Sequence, residues 1–289
     1  MRRMVSVAIA LGAPFLVVGA CSLYDGSGVP GDAGGTPDTS VPPDGAFDSS
    51  AQDGDAALGP DTADGAPPFT PTDISGMQLW LRADQGVISD GGVIVEWDDI
   101  SGKADPARNA LSAAAAPTMV DAGFGGALYF SSAQAMRTGS WDGGVNAPFT
   151  LFIVAGKDAM PGPTRSLCDS LNPAAQTAIV VDNNRLIQYA GAYGTPANGV
   201  VTKPMTVLAV FNGASSFILR SSNRGDAGMS NPGNNGFAAG LTIGNYSGGG
   251  MGAFEGYIAE FIVYSHALND PEIVSLNGYA SKRYGITIQ

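Results

Sequence analysis

The chain has 289 residues, of which 14 are lysine or arginine and 26 are aspartate or glutamate, so its formal net charge is −12. An acidic chain with few basic residues lacks the cationic surface that phosphate binding requires, which excludes a nucleic-acid partner. Two cysteines and one histidine exclude a disulfide scaffold, a cysteine-rich cluster and a multi-histidine metal site.

The first twenty residues have the pattern of an export signal. Two arginines precede an apolar stretch, 4–18, that is too short to span about 30 Å of hydrocarbon comfortably. The segment 18–21, VGAC, resembles the lipobox of bacterial lipoproteins. The resemblance implies cleavage before Cys21 and acylation of that residue. Because Ser22 rather than aspartate follows, it also implies export to the outer membrane. An ordinary secretory signal with a chance cysteine is the alternative.

Residues 21–68 form a low-complexity segment of aspartate, glycine and proline. It holds nine aspartates and no lysine, arginine or glutamate. Such a composition cannot bury enough apolar surface to offset the entropy of ordering, which predicts a disordered tether. A calcium-binding aspartate repeat is the sharper alternative, but the spacing of these residues is irregular. The sequence thus predicts a signal peptide at 1–20, a tether at 21–68 and one domain at 69–289.

Short apolar or alternating runs, bounded by glycine, asparagine, aspartate and proline, make up the predicted domain. Runs of this kind, rich in β-branched and aromatic residues, are typical of strands. They fall at Met77–Arg82, Val93–Trp97, Ala127–Phe130, Phe149–Ala155, Arg165–Asp169, Ala178–Val181, Arg185–Tyr189, Thr206–Phe211, Ser216–Arg220, Leu241–Ile243 and Tyr257–Tyr264. Many short strands with no helical period before Leu268 predict an all-β sandwich or jelly roll.

One helix is predicted near the end of the domain. Asp270 suits the N-cap and Pro271 the first helical position, while Gly285 suits the end of the helix. Apolar residues recur at helical spacing between them, at Ile273, Leu276 and Ala280. The segment 286–288 is expected to return as a final strand.

Three segments carry a resemblance to a known family. They are ISGMQLWLRAD at 74–84, VEWDDISG at 95–102 and FEGYIAEFIVY at 254–264. In this order they resemble the opening and closing motifs of the laminin-G-like, concanavalin A-like domains of bacterial surface proteins. The resemblance covers 72–289 and implies an antiparallel two-sheet jelly-roll sandwich with one short C-terminal helix.

Several motif residues have structural explanations. Trp80 and Trp97 lie in alternating strands, where a large ring fills the space between sheets about 10 Å apart. Asp99 begins a segment suited to an Asx-type turn that ends at Gly102. Cys168 lies in a predicted strand and is expected to behave as a small buried hydrophobe.

The same fold houses glycoside hydrolases, whose carboxylates lie on one strand in an E-x-D-x-x-E pattern. Glu96 and Asp98 match the first two acids, but Ser101 stands where the second glutamate is required. A hydroxyl cannot shuttle the proton that the retaining mechanism needs. The sequence therefore predicts a non-catalytic domain with no catalytic residue, and a degenerate hydrolase is the alternative.

The family resemblance also implies one structural Ca²⁺, because concanavalin A-like domains often hold one. Calcium takes six to eight oxygen ligands from carboxylates and carbonyls. The acids nearest the family motifs are the candidate ligands: Asp84, Asp98, Asp99, Glu255 and Glu260.

Aromatic and amide residues in glycine-rich loops are the candidate ligand-binding groups. Aromatic rings stack on sugar rings, and asparagine amides hydrogen-bond to hydroxyls. The candidates are Trp141, Tyr193, Tyr246, Asn234, Asn235 and Asn245. The alternative interpretation is that these residues cap the ends of the sandwich.

These features predict an exported, outer-membrane-anchored lipoprotein whose acyl chains hold it at a lipid bilayer. Its domain is expected to be a non-catalytic module that binds a polysaccharide or a surface protein. The alternative is a structural surface protein that packs with its neighbours and recognises no small ligand.

Overall fold

The computed structural model describes residues 68–103, 109–113, 115–131, 133–141, 143–157, 165–172, 174–182, 185–198, 204–223, 230–247 and 252–289. All of them belong to one compact unit, Ala63–Gln289. The predicted signal peptide and nearly all of the predicted tether lie outside the described residues.

The described residues form sixteen strands and one α-helix, with short 3-10 helices at Pro71–Asp73 and Gly213–Ser215. The elements are β1 Met77–Arg82, β2 Val87–Asp90, β3 Val93–Trp97, β4 Ala110–Ser112, β5 Thr118–Asp121, β6 Gly126–Phe130, β7 Met136–Arg137, β8 Phe149–Lys157, β9 Arg165–Ser170, β10 Ala178–Asp182, β11 Arg185–Tyr189, β12 Ala197–Asn198, β13 Met205–Phe211, β14 Phe217–Arg220, β15 Leu241–Ile243, β16 Gly256–Tyr264 and α1 Asp270–Tyr284.

The strands form a nearly closed antiparallel sheet. Hydrogen bonding runs in the order β12-β11-β10-β9-β15-β7-β4-β3-β5-β6-β16-β8-β13-β14, with β1 beside β16 and β2 beside β3. The strands at the two ends of this order approach each other, since β11 and β12 both contact β14. The fold is therefore mostly β with one C-terminal helix, as the sequence predicts.

Strands β8, β13 and β16 are buried on both faces, which explains their nearly continuous apolar sequences. Alternate residues of β8 face opposite sides: Leu151 and Ile153 belong to the inner core, whereas Phe152 and Val154 pack beneath the helix. The inner core gathers large aromatic side chains from many strands and loops, among them Trp97, Phe130, Phe149, Phe211, Phe237 and Phe261. Both predicted core tryptophans are buried, Trp97 in the inner core and Trp80 in the cluster beneath the helix.

Helix α1 starts one residue earlier than the sequence predicts. The N-cap is Asn269, whose Oδ1 accepts from the Glu272 amide at 3.1 Å while the Asn269 amide donates to Glu272 Oε2 at 2.9 Å. This reciprocal pair is a capping box, and it satisfies two backbone amides that would otherwise lack partners. Asp270 is therefore the first helical residue, and the helix ends at Gly285 with φ of 65°, as predicted.

Glu260 fastens the helix to the sheet. This β16 side chain is fully buried, and Oε1 accepts from Trp80 Nε1 at 2.5 Å and from the Tyr279 hydroxyl at 2.9 Å. Oε2 accepts from the Tyr284 hydroxyl at 2.8 Å. Burial raises the pKa of Glu260 above its usual range, although the three donors oppose that shift.

All eleven predicted strands before the helix are present, with ends that shift by two residues at most. The expected strand at 286–288 is wrong. The described backbone there has no strand pairing, and the chain end is held instead by the Gln289 amide, which donates to the Ser221 carbonyl at 2.8 Å. Ile286 nevertheless packs into the cluster beneath α1.

Cys168 is buried among apolar residues, as the sequence predicts. The thiol is fully buried in the inner core, and burial raises its pKa to about 12. Since the thiolate is the reactive form, iodoacetamide at pH 8 is expected to leave folded Cys168 unmodified and to modify it completely after denaturation. Mass spectrometry of the Cys21→Ser variant tests this without a second thiol, and equal labelling of the folded and unfolded protein would contradict it.

Within the described residues, no helix combines the length and the apolar content needed to traverse a lipid bilayer.

Candidate functional site

Five consecutive strands present one row of side chains on the face of the sheet that points away from the inner core. Paired positions place Tyr189 beside Ala178, Ala178 beside Asp169, Asp169 beside Thr242 and Thr242 beside Arg137. Directly paired residues lie on the same face of a sheet. The neighbouring row, which includes Ile179, Cys168 and Ile243, belongs to the inner core. The row from Tyr189 to Arg137 therefore lies on the outer face.

Two tyrosines meet at one end of this row. The ring centroids of Tyr189 and Tyr193 lie 4.9 Å apart with an interplanar angle of 61°. Tyr193 is 72% exposed, while Tyr189 is half-buried at the end of β11. The adjoining turn packs closely against the loop at Gly233, where φ is 99° and an added Cβ would lie 2.0 Å from the Ala190 carbonyl oxygen. Only glycine fits at position 233, and its small size lets this loop pack against the turn that joins Tyr189 and Tyr193.

A third tyrosine, Tyr246, lies beside this pair. Burial raises the pKa of the Tyr246 phenol, and the nearby charge of Asp169 and the phenols of Tyr189 and Tyr193 raise it further. The side chain of Gln176 donates from Nε2 to the Tyr246 hydroxyl. We call the area formed by the exposed Tyr193 and the half-buried Tyr189 and Tyr246 the tyrosine surface.

Asp169 holds the loop that carries Tyr246. Its Oδ2 accepts from the Ser247 amide at 3.0 Å and from the Ser247 hydroxyl at 2.7 Å. The carboxyl is fully buried, and burial raises its pKa despite these bonds. Within the described part of the chain, neither Asp169 Oδ1 nor the hydroxyl of its neighbour Thr242 has a hydrogen-bond partner. The two hydrogen bonds from Ser247 to the buried Asp169 carboxyl position the loop that carries Tyr246.

Amide groups surround the tyrosine surface. Asn235 donates from Nδ2 to the Gln176 carbonyl at 3.2 Å, and its own amide donates to the Ala190 carbonyl at 3.2 Å. Asn234 is exposed in the same loop. Aromatic faces combined with amide donors and acceptors form a surface suited to stacking and to hydrogen bonds with hydroxyl groups.

Four of the six predicted ligand-binding residues lie at or beside this surface: Tyr193, Tyr246, Asn234 and Asn235. The prediction for Trp141 is wrong, because its ring is 3% exposed and packs in the inner core. Asn245 is also buried, and its Oδ1 accepts from the Tyr246 amide at 2.7 Å, so it shapes the loop instead of facing a ligand.

Sequence reasoning missed four residues of the site: Tyr189, Gln176, Asp169 and Arg137. Tyr189 ends a predicted strand, so its aromatic ring beside a glycine-rich turn was an available signal. The other three carry no local pattern, because only the pairing of distant strands brings them to the same face.

The five candidate calcium ligands do not converge. Asp84 forms ion pairs with Arg82, at 2.7 Å, and with Arg283, whereas Glu255 pairs with Arg165 at 2.9 Å. Glu260 is already bonded to three donors. No group of three or more acids, histidines or cysteines able to hold a metal ion occurs among the described residues.

Asp99 forms the predicted Asx turn. Its Oδ1 accepts from the Ser101 amide at 2.9 Å and from the Trp80 amide at 2.8 Å, while Oδ2 accepts from the Ser101 hydroxyl at 2.7 Å. These bonds join the turn to β1, and the Ser101 hydroxyl is used within the turn.

Glu96 and Asp98 share the side-chain amide of Asn109. Its Nδ2 donates to Glu96 Oε1 at 2.8 Å and to Asp98 Oδ1 at 3.0 Å. Partial burial and the neighbouring Glu96 carboxylate raise the pKa of Asp98. Two carboxylates therefore lie close together, but Ser101, at the position of the third acid in the hydrolase pattern, supplies no carboxyl group.

A separate groove of about 500 Å³ opens between β1, β2, β3 and the β5–β6 turn. Its walls are mainly apolar, with Ala83, Val87, Ile94 and Met119 among the lining residues. It lies apart from the tyrosine surface, which is formed by β9, β10, β11 and their loops.

No family model matches this sequence, and no curated protein matches it.

Comparison with solved structures shows that the fold is shared. The Trypanosoma rangeli sialidase in complex with sialic acid is 15% identical, with a TM-score of 0.50 over 71% of this chain and 33% of the sialidase. The chain thus spans about a third of the sialidase's length. Domain 4 of AbnA, a GH43 extracellular arabinanase from Geobacillus stearothermophilus, in complex with arabinotriose, is 12% identical, with a TM-score of 0.52 over 70% of this chain and 98% of that domain. The binding domain of botulinum neurotoxin DC, in complex with rat synaptotagmin II, is 13% identical, with a TM-score of 0.51 over 73% of this chain and 52% of the toxin chain. The fold of this chain is therefore similar to β-domains found in carbohydrate-active and protein-binding proteins.

Proposed function

We propose that this protein is a non-catalytic module that binds an oligosaccharide on the tyrosine surface. The observation that carries the proposal is the contact between the rings of Tyr189 and Tyr193 on an outer face, with Tyr246 joined to the same area through Gln176 and Asn235. Sugar rings present apolar C–H faces and hydroxyl edges. Stacking and amide hydrogen bonds satisfy both, and a few polar groups beside aromatic walls are typical of small-molecule sites.

The structural neighbours support this proposal through their bound partners. The sialidase is in complex with sialic acid and the arabinanase domain with arabinotriose, so two of the three compared structures hold a carbohydrate. The toxin binding domain is in complex with synaptotagmin II, a protein. A protein partner is therefore the second candidate. The tyrosine surface favours the sugar, because its exposed groups are phenols and amides.

We propose further that the strands divide into the two layers of a jelly-roll sandwich.

We also propose that the domain does not hydrolyse sugars. Retaining hydrolysis requires a nucleophile and a proton donor about 5–5.5 Å apart. In this protein the side-chain amide of Asn109 joins Glu96 and Asp98. Ser101 stands where the hydrolase pattern requires the second glutamate, and its hydroxyl is bonded to Asp99. Release of reducing sugar from a bound glycan, abolished by Glu96→Gln, would instead establish a hydrolase.

The proposed location is the outer membrane, where acyl chains on Cys21 hold the mature chain. The sequence supports this through the VGAC motif and the acidic segment that follows it. Intact-mass spectrometry of the purified protein is expected to show a chain that begins at Cys21 and carries fatty acids. A mature chain with an unmodified N-terminal residue would contradict the anchor.

A glycan array tests the binding function. The mature chain from residue 21, with Cys21→Ser to prevent acylation, is expected to bind a restricted set of glycans. The same chain with Tyr193→Ala and Tyr246→Ala is the matched control and is expected to lose those signals. Uniform silence of the unsubstituted chain would support a structural protein that packs with its neighbours.

A further inference from the structure

We propose that the ligand is an acidic oligosaccharide and that Arg137 is the subsite for its carboxylate or sulfate group; this inference rests on the proposed function. The proposal starts from the surroundings of Arg137. It is exposed, and no carboxylate lies within ion-pair distance of it among the described residues. Four other described arginines each pair with a carboxylate: Arg82, Arg165, Arg185 and Arg283.

Within residues 69–289, acidic residues outnumber basic ones by 17 to 12. In such a chain an arginine on the surface has many potential carboxylate partners. Arg137 lies on the same outer face as the tyrosine surface, and no described carboxylate pairs with it. The charge is therefore available to a ligand at this position of the face.

The guanidinium of Arg137 is held close to the tyrosine surface. Its Nη2 donates to the Ser247 carbonyl at 3.3 Å, and Ser247 follows Tyr246 directly in the sequence. Asp169 fixes Ser247 from below through its amide and hydroxyl. A chain of hydrogen bonds thus runs from the buried carboxyl through Ser247 to the exposed arginine, which places the cation against the loop that carries Tyr246.

The spacing suits a chain of sugars. Four strand intervals separate Arg137 on β7 from Tyr189 on β11. At about 4.8 Å per interval, the two side chains lie about 19 Å apart along the sheet. The loop with Tyr246 lies between them. A ligand that stacks on the tyrosines and reaches Arg137 must therefore be an oligosaccharide that crosses the strands.

The chemistry of arginine favours an anion at that end. Its planar fork carries five N–H donors, of which the bond to Ser247 uses one, and the remaining donors match a carboxylate or sulfate with two parallel bonds. The negative charge of the whole chain opposes non-specific adsorption of polyanions. Binding of an acidic glycan must then depend on the local cation, which makes one substitution a decisive test.

Isothermal titration of the mature Cys21→Ser chain at low salt separates the alternatives. The probes are oligosaccharides of galacturonate, alginate and hyaluronan, each with its methyl-esterified, neutral counterpart, and chondroitin sulfate with unsulfated chondroitin. At least one acidic probe is expected to bind about tenfold or more tightly than its neutral or less charged counterpart. Preference within the esterified pairs indicates a carboxylate, and preference within the chondroitin pair indicates a sulfate.

Substitutions locate the preference. Arg137→Gln is expected to lower the affinity for the acidic probe until it equals the affinity for the counterpart, whose own affinity stays unchanged. Arg137→Lys is expected to retain part of the preference for the acidic probe. Arg185→Gln, which removes an exposed arginine paired with Asp182, is the control and is expected to change neither affinity.

Two results would overturn the inference. If neutral glycans bind as tightly as acidic ones, or if Arg137→Gln weakens both members of a pair equally, the acidic subsite is wrong while the binding function stands. If no glycan binds here or on the array, the proposed function fails and the subsite fails with it.

Discussion

Replacing Glu260 with alanine is expected to lower the free energy of unfolding by about 3 kcal/mol. The substitution leaves the Trp80 indole and the hydroxyls of Tyr279 and Tyr284 without their acceptor in a buried site. It also opens a cavity between β16 and α1. Urea unfolding of the mature Cys21→Ser chain, followed by tryptophan fluorescence, measures the loss.

Two variants serve as controls for this prediction. Glu260→Gln keeps the volume and one acceptor oxygen, so a smaller loss of about 1 kcal/mol is expected. Glu255→Gln removes an exposed carboxylate paired with Arg165, and its effect is expected to lie within about 0.5 kcal/mol. If Glu260→Ala were as stable as Glu255→Gln, the buried carboxylate would not fasten the helix.

The raised pKa of Glu260 predicts a direction for the pH dependence of stability. Below the ordinary glutamate pKa of 4.5 the carboxyl is protonated in both the folded and the unfolded chain. As the pH rises above that value, the unfolded chain releases its proton first, which favours unfolding. The stability of the unsubstituted chain relative to Glu260→Gln is therefore expected to fall above pH 4.5, up to the folded-state pKa. A relative stability that rises over this range would show that the three donors outweigh burial.

Replacing Tyr246 with alanine is expected to weaken glycan binding by about 2 kcal/mol, or about thirtyfold in Kd. Tyr246 lies between the tyrosine pair and Arg137, and truncation of a central aromatic typically has the largest effect on binding. Isothermal titration with the strongest ligand from the array measures the change. The melting temperature is expected to stay nearly constant, because Tyr246 lies on an outer loop.

Tyr129→Ala is the matched control for Tyr246. Tyr129 is a half-buried tyrosine on β6, outside the tyrosine surface. It is expected to leave glycan affinity within about twofold, since a residue outside the interface contributes little to binding. Equal losses for the two variants would indicate that the tyrosine surface is not the binding site.

Much of the fold could be predicted from the sequence because the longer strands carry their own signal. β8 and β16 are apolar along their length, since they are buried on both faces, and β11 has its own bounding turn residues. The sequence missed β2, β4, β5, β7 and β12. These strands have two to four residues, and several contain serine or aspartate, so pairing with longer neighbours forms them instead of local propensity.

The site was only partly predictable for a related reason. Tyr193 and Tyr246 stand in glycine-rich loops, which is a local signal for exposed aromatics. Asp169 and Arg137 are brought to one face by the order β9-β15-β7, which joins segments far apart in the chain. Trp141 has the same local pattern as the tyrosines, but its larger apolar ring is buried in the core. Register and burial depend on contacts across the whole fold, so a local sequence pattern does not reveal them.

A crystal structure of the mature Cys21→Ser chain with the strongest array ligand tests the binding site most directly. A sugar ring is expected against Tyr189, Tyr193 or Tyr246, with the oligosaccharide extending towards Arg137. A sugar bound only in the groove lined by Ala83, Val87 and Met119, with the tyrosine surface unoccupied, would contradict it.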